Sequence, residues 1–110
     1  MEVHLKSQEF FHHILTKHKL GESALKYLHD RGLTEATIEE FGIGYAPNSW
    51  DSLSKFLLKR NFTVLEIIES GLGVESKSCY DRFRGRIMFP LIDTKGQIIG
   101  FSGRVLYHAE

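Results

Sequence analysis

Two shortages in the sequence, of cysteine and of long apolar runs, exclude classes of protein, and a third absence, that of net charge, favours none. It contains a single cysteine, Cys79, so an internal disulfide and a multi-cysteine zinc site are excluded, and a reducing, cytoplasmic location is the expectation. No apolar run approaches the roughly 20 residues of a membrane-spanning helix, and none follows a basic start. The 14 Lys and Arg residues balance 14 Asp and Glu residues, so net charge alone points neither to nucleic acid nor to a membrane.

Motifs for catalysis are also missing. Gly71-Leu72-Gly73 lacks the third glycine of a dinucleotide-binding fingerprint, and no glycine-rich loop ends in Gly-Lys-Ser or Gly-Lys-Thr. The six histidines lack a metal-ligating spacing, and the carboxylates do not cluster in a way that would hold two magnesium ions. Cys79 has no general base in its local sequence. The residues alone therefore predict neither a catalytic site nor a metal site.

The length of 110 residues suits one domain, 1–110, or a piece of a larger protein cut at a domain boundary. The first 70 residues are predicted to be mainly helical, with Gly32 and Gly42 as helix ends and Thr63 opening a capping box. The turn at Pro47-Asn48-Ser49 is predicted to cap a helix that begins near Trp50.

The last third of the chain has the pattern of a β-hairpin. Residues 85–92 and 97–106 are rich in Ile, Phe, Leu and Val, and Asp93-Thr94-Lys95-Gly96 between them is a typical hairpin turn. The predicted fold class is therefore α+β, in which a helical N-terminal two-thirds packs on a small β-sheet that contains the C-terminal hairpin.

Positive charge is concentrated in the same third. Residues 71–110 carry six Lys and Arg against four Asp and Glu, whereas residues 1–70 carry eight against ten. Arg82, Arg84 and Arg86 occupy alternate positions, so in an extended strand they would lie on one face about 6.6–7 Å apart. That interval is comparable to the phosphate step of a stretched single strand of nucleic acid. Arginine suits this role because its planar fork can grip a phosphate or stack on a base.

Small residues and two further cations are predicted to adjoin this row. Arg104 lies on the second strand beside Gly100, Ser102 and Gly103, which leave room for a flat ligand or a backbone, and Lys95 lies at the tip of the hairpin. The alternative is an ordinary solvated strand face whose arginines pair with nearby acids: Glu75, Asp81 and Asp93. Tyr80 and Trp50 offer stacking surfaces, although core packing is the preferred interpretation for Trp50.

Two long blocks carry a specific resemblance. YLHDRGLTEATIEEFGIGYAPNSWDSL and YDRFRGRIMFPLIDTKGQIIGFSGRVL, in this order and about thirty residues apart, resemble the bacterial DnaG-type DNA primases, in the N-terminal subdomain of their RNA polymerase core. The resemblance implies a mixed α/β unit that packs against a TOPRIM domain. It implies a basic face that contacts the single-stranded DNA template and the primer–template duplex.

The resemblance also implies which residues meet nucleic acid. They are Arg31 in DRGL, Arg82, Arg84 and Arg86 in YDRFRGR, Lys95, and Arg104 in SGRVL. It implies no catalytic residue and no metal ligand in this stretch. Magnesium is expected in the TOPRIM domain of the parent protein and zinc in its N-terminal domain, and neither cofactor is expected here. The parent would synthesise short RNA primers for replication and meet the replicative helicase through other parts, whereas this stretch alone is expected to be inactive.

Two other interpretations stay open. The arginines of a non-catalytic docking module would meet a protein partner or the TOPRIM domain instead of nucleic acid. Alternatively, the same subdomain would belong to a phage TOPRIM primase–helicase with a different architecture.

Overall fold

The computed structural model describes residues 2–105 and has the predicted α+β architecture. Among these residues the helices are α1 (Glu2–Lys17), α2 (Glu22–Asp30), α3 (Glu35–Phe41), α4 (Ser52–Lys59) and α5 (Val64–Glu69), with a 3-10 turn at Lys19–Gly21. The strands are β1 (Gly44–Ala46), β2 (Gly73–Glu75), β3 (Cys79–Asp81), β4 (Arg86–Ile92) and β5 (Ile98–Val105). No helix in this part of the chain is long and apolar enough to cross a membrane.

Local capping signals set both ends of α3 and the start of α5, and the end of α3 at Gly42 and the capping box of α5 are as predicted. At the start of α3 the Thr37 N–H donates to Thr34 Oγ1 at 3.2 Å, and the helix ends at Gly42, whose φ of 64° is left-handed. Thr63 opens α5 by a capping box, in which the Glu66 N–H donates to Thr63 Oγ1 at 3.1 Å and the Thr63 N–H donates to Glu66 Oε1 at 2.8 Å.

The start of α4 differs from the prediction. The helix begins at Ser52, not near Trp50, and the side chain of its N-cap residue Asp51 makes no capping hydrogen bond. The cap comes instead from Asp81, whose carboxylate accepts the backbone N–H groups of Leu53 and Ser54 at 2.8 Å each. The predicted cap from Pro47-Asn48-Ser49 is therefore wrong, because a residue far along the chain takes that role.

The strands form two antiparallel sheets. In the larger one β4 lies between β1 and β5, and in the smaller one β2 pairs with β3. The hairpin turn between β4 and β5 is as predicted: Gly96 has a φ of 82°, and Asp93 Oδ1 accepts the N–H groups of Lys95 and Gln97 at 2.9 Å each. The predicted end of this strand at residue 106 lies outside the described residues.

Both faces of the central strand β4 are covered. Met88 belongs to one apolar cluster with Phe11, Leu53 and Leu57, and its neighbour Ile87 belongs to a second cluster, which contains Leu28 and Ile38. Alternate residues of a strand face opposite ways, so the two clusters lie on opposite sides of the sheet. Helix α1 lies directly against β1: a Cβ on Gly44 would stand 2.5 Å from the Phe11 backbone.

Candidate nucleic-acid interface

The segment that carries the three alternating arginines turns instead of extending. Strand β3 ends at Asp81 and β4 begins at Arg86, and Gly85 between them has a left-handed φ of 65°. The Gly85 N–H donates to Ala46 O at 2.8 Å and the Arg82 N–H donates to Leu72 O at 3.0 Å, so the connection is held at both ends. The evenly spaced row of arginines that an extended strand would give is therefore absent, because the turn at Gly85 breaks the alternation.

Each arginine of this segment has a different environment. Arg82 is exposed and its Nε donates to the carbonyl of Gly71 at 2.8 Å, which ties the connection to the end of α5. Arg84 is also exposed, and Arg86 is half-buried on β4. The side chain of Arg86 lies beside Gly103 on the neighbouring strand, where an added Cβ would stand 3.1 Å from Arg86 Cδ and 2.8 Å from the ring of Phe83. At this point the missing side chain makes room for the protein's own residues, not for a ligand.

Arg84 lies over a pair of stacked aromatic rings. The rings of Trp50 and Tyr80 are 4.0 Å apart between centroids and 21° from parallel. The Arg84 guanidinium carbon is 5.0 Å from the Trp50 centroid and 5.4 Å from the Tyr80 centroid, within cation–π range. We call Trp50, Tyr80 and Arg84 the aromatic corner.

Trp50 is 54% exposed, so the prediction that it packs in the core is wrong. The reason is the late start of α4. A helix from residue 50 would place Trp50 on the same face as the buried Leu53 and Leu57, but Trp50 precedes the helix and leaves that face. In the sequence, the turn at Pro47-Asn48-Ser49 was the one signal that the helix could begin after Trp50.

Arg104 lies on the other side of the sheet from Arg86. Arg86 pairs with Val105 and Ile87 pairs with Arg104, and directly paired residues share a face. Ile87 belongs to the cluster against which Tyr27 packs, and the guanidinium of Arg31 lies 4.7 Å from the Tyr27 centroid. Arg31 and Arg104 therefore lie on the same side of the sheet. Arg31 also caps α2, since its N–H donates to the carbonyls of Tyr27 at 3.2 Å and Leu28 at 3.1 Å.

Lys95 lies away from the arginines. It is in the turn beyond Ile92, and β4 runs from Arg86 to Ile92, a distance of about 20 Å at the usual rise of a strand. The expectation that it adjoins the arginine surface is wrong. It is close instead to a groove of about 820 Å³ between α1, α3 and the hairpin tip. We call it the acidic groove, because four carboxylates and a single lysine line it: Glu9, Glu35, Glu39, Glu40 and Lys17.

Two of the three acids that the alternative interpretation assigned to the arginines are used elsewhere. Asp81 caps α4 and Asp93 closes the hairpin turn. Within residues 2–105 the salt bridges join other residues: Lys6–Glu9, His12–Glu39, Lys26–Asp30 and Lys55–Asp51. The same residues include no group of three His, Cys, Asp or Glu side chains that could hold a metal ion. Exposed arginines without ionic partners, one of them over stacked rings, are typical of surfaces that hold nucleic acid.

The chain matches the family model of the DNA primase catalytic core, N-terminal domain, over residues 10–110. It belongs to this family, as the two sequence blocks indicated. The DNA primase of Staphylococcus aureus strain MSSA476 is 49% identical over 107 residues, which cover 94% of this chain and 18% of that protein. The chain thus spans less than a fifth of the length of this relative.

Solved structures of the same family share the fold. The structure of a DnaG primase catalytic domain bound to ssDNA matches with a TM-score of 0.83 and 37% identity, over 96% of this chain and 33% of that one. The RNA polymerase domain of Mycobacterium tuberculosis primase DnaG, in complex with a double-stranded DNA oligomer with a 6-nucleotide overhang, matches with a TM-score of 0.88 and 29% identity. That match covers 100% of this chain and 36% of the other.

Proposed function

We propose that this chain is the template-holding subdomain of a DNA primase. The observation that carries the proposal is the aromatic corner, where an exposed arginine lies over two stacked rings. Such a surface offers a base a ring to stack on and a phosphate a cation to pair with, and it does so for any base. Binding is therefore expected to depend on salt and to tolerate changes of sequence.

The proposed contacts with nucleic acid remain those expected from the sequence: Arg31, Arg82, Arg84, Arg86, Lys95 and Arg104. Arg84 is the strongest candidate because both its charge and the rings beneath it are accessible. Arg82 has one donor committed to Gly71, which leaves its terminal nitrogens for a phosphate. Arg31 and Arg104 would hold the strand on the other side of the sheet. Single-stranded template and primer–template duplex are the proposed ligands.

The reaction itself is proposed for the parent protein, not for this stretch. Primer synthesis joins ribonucleotides by phosphoryl transfer, for which two magnesium ions stabilise the attacking and leaving oxygens. From the family resemblance we expect the magnesium in a neighbouring TOPRIM domain of the parent protein and the zinc in a separate domain. Contact with the TOPRIM domain and with the replicative helicase, and the cytoplasmic location, also stay predictions.

The test is binding of a labelled single-stranded oligonucleotide, followed by fluorescence anisotropy across a salt series. Arg84→Ala is expected to weaken binding and to lower the slope of log affinity against log salt by about 0.7, the value for one phosphate contact on a single strand. Arg60→Ala is the matched control, because Arg60 also lies over a ring, 3.9 Å from the Phe56 centroid, but at the far end of α4. Equal effects of the two variants would contradict the proposal, and salt-independent binding would favour a docking module.

A further inference from the structure

Asp81 is a buried carboxylate between two residues of the candidate interface. Asp81 is 2% exposed, and it lies between Tyr80 and Arg82 in the chain. Strand β3 alternates, so Asp81 points inward while Tyr80 points toward the surface. No salt bridge within residues 2–105 involves Asp81, which is unusual for a buried acid. Its contacts must therefore account for its place in the core.

The hydrogen bonds of the Asp81 side chain and of its backbone N–H all reach one short segment, residues 50–54. Oδ2 accepts the Leu53 N–H at 2.8 Å, and Oδ1 accepts both the Ser54 N–H at 2.8 Å and the Ser54 hydroxyl at 2.7 Å. The backbone N–H of Asp81 donates to the carbonyl of Trp50 at 2.8 Å. One residue therefore holds Trp50 by its backbone and the first turn of α4 by its side chain.

This arrangement fixes how the two rings of the aromatic corner meet. Trp50 stands just before the turn that the carboxylate holds, and Tyr80 is the residue immediately before Asp81. If the carboxylate released α4, the single backbone hydrogen bond from the Asp81 N–H would be left to hold Trp50 opposite Tyr80, without the fixed first turn of the helix that follows Trp50. The rings have few other constraints, since Trp50 is 54% exposed.

We infer that Asp81 is a positioning residue, which sets the stacked geometry of Trp50 and Tyr80 and with it the place of Arg84 above them. The inference concerns a residue that does not touch nucleic acid itself. The inference rests on the proposed function only for the effect that it predicts on DNA binding. The positioning of the rings can be measured in the free protein.

The test uses Asp81→Asn, which keeps the shape of the side chain but replaces one acceptor by an amide donor. Trp50 is the one tryptophan of the sequence, so tryptophan emission and its collisional quenching by acrylamide report on the corner directly. We expect the emission of the free variant to shift and its quenching to rise, because the stack with Tyr80 loosens. We expect the affinity for a single-stranded oligonucleotide to fall by roughly three- to tenfold, as for a displaced stacking surface.

Two further variants separate positioning from a general loss of stability. Thr63→Ala removes the capping box of α5 and so also weakens a helix start, but it leaves the contacts of Asp81 in place. It is expected to lower the unfolding midpoint while tryptophan emission and DNA affinity stay as in the wild type. Ser54→Ala removes one of the three donors and is expected to give a smaller change of the same kind as Asp81→Asn. It provides the readout if Asp81→Asn does not fold.

The outcomes distinguish the positioning role of Asp81 from the proposed function. Wild-type emission and quenching in folded Asp81→Asn, or in Ser54→Ala where Asp81→Asn does not fold, would overturn the positioning role. Altered emission with unchanged DNA affinity would uphold the positioning role but remove the aromatic corner from the binding surface. A wild type that binds no single-stranded DNA would overturn the proposed function, and the emission of the free variants would still decide the role of Asp81.

Discussion

The aromatic corner and the acidic groove both combine exposed apolar surface with charge, but the charge has opposite sign. At the corner an arginine lies over Trp50 and Tyr80, and the nearby acid Asp81 is turned inward. In the groove, exposed Phe41 and Ile92 lie among four glutamates. A polyanion is attracted to the first surface and repelled by the second. Net charge gives no hint of this, because the 14 Lys and Arg residues balance the 14 Asp and Glu residues in the total.

The largest difference is expected when an aromatic ring is removed from each surface. Trp50→Ala should weaken single-strand binding by about 5- to 150-fold, because stacking contributes roughly 1–3 kcal/mol per base. Phe41→Ala, which removes a ring that is 61% exposed in the groove, should leave the affinity within about twofold. Anisotropy titrations of both variants at one salt concentration measure this. Comparable losses would show that exposed aromatic area matters and its charged surroundings do not.

A smaller difference is expected between two cations at opposite ends of the hairpin. Arg104→Ala should lower the salt slope of binding by about 0.7, whereas Lys95→Ala should lower it by less, because the glutamates of the nearby acidic groove weaken the attraction of Lys95 for a phosphate. The same salt series measures both, and circular dichroism spectra confirm that the variants are folded. A larger effect of Lys95→Ala would place the nucleic acid at the hairpin tip and reverse the comparison.

The smallest effect concerns how protein stability depends on pH through Asp81, the buried acid beside the aromatic corner. Burial raises the pKa of Asp81 above 3.8, although hydrogen bonds from Leu53 and Ser54 act in the opposite direction and Asp51 adds to the rise. A raised folded-state pKa means that the folded protein holds this proton more tightly than the unfolded chain does. Its contribution to stability is therefore present below 3.8 and is lost as pH rises through the folded-state pKa.

The difference in unfolding free energy between wild type and Asp81→Asn should accordingly shift in favour of the wild type as pH falls from neutral toward 3.8. Urea denaturation at several pH values measures it, and the subtraction removes what the other carboxylates contribute. A difference that is constant with pH would contradict the raised pKa.

Sequence reasoning was reliable where the determining interaction is local. The capping box of Thr63 and Glu66 spans three residues, and the turn at Asp93–Gly96 closes within itself, so both could be predicted from composition and spacing. The cap of α4 could not, because Asp81 lies 27 and 28 residues from the N–H groups that it accepts. That one missed contact also explains why Trp50 was assigned to the core.

The candidate interface was predicted in its residue types but not in its geometry. Their alternation would place Arg82, Arg84 and Arg86 on one face of an extended strand, but the left-handed backbone of Gly85 turns the chain between them. The separation of Arg86 from Arg104 depends on the register between β4 and β5, which neither strand reveals alone. The family was recognised from two long blocks, since such blocks preserve the effects of distant contacts that periodicity does not detect.

The bonds from Asp81 to α4 and the pairing of β1 with β4 also determine how the chain folds. Helices form quickly from local contacts, but the central strand of the sheet can pair with β1 only after a long loop has closed. The entropy of that closure is lost before any long-range contact compensates for it. The helical half and the hairpin half are therefore expected to fold as one cooperative unit, and neither half is expected to be stable when the chain is cut between α5 and β3.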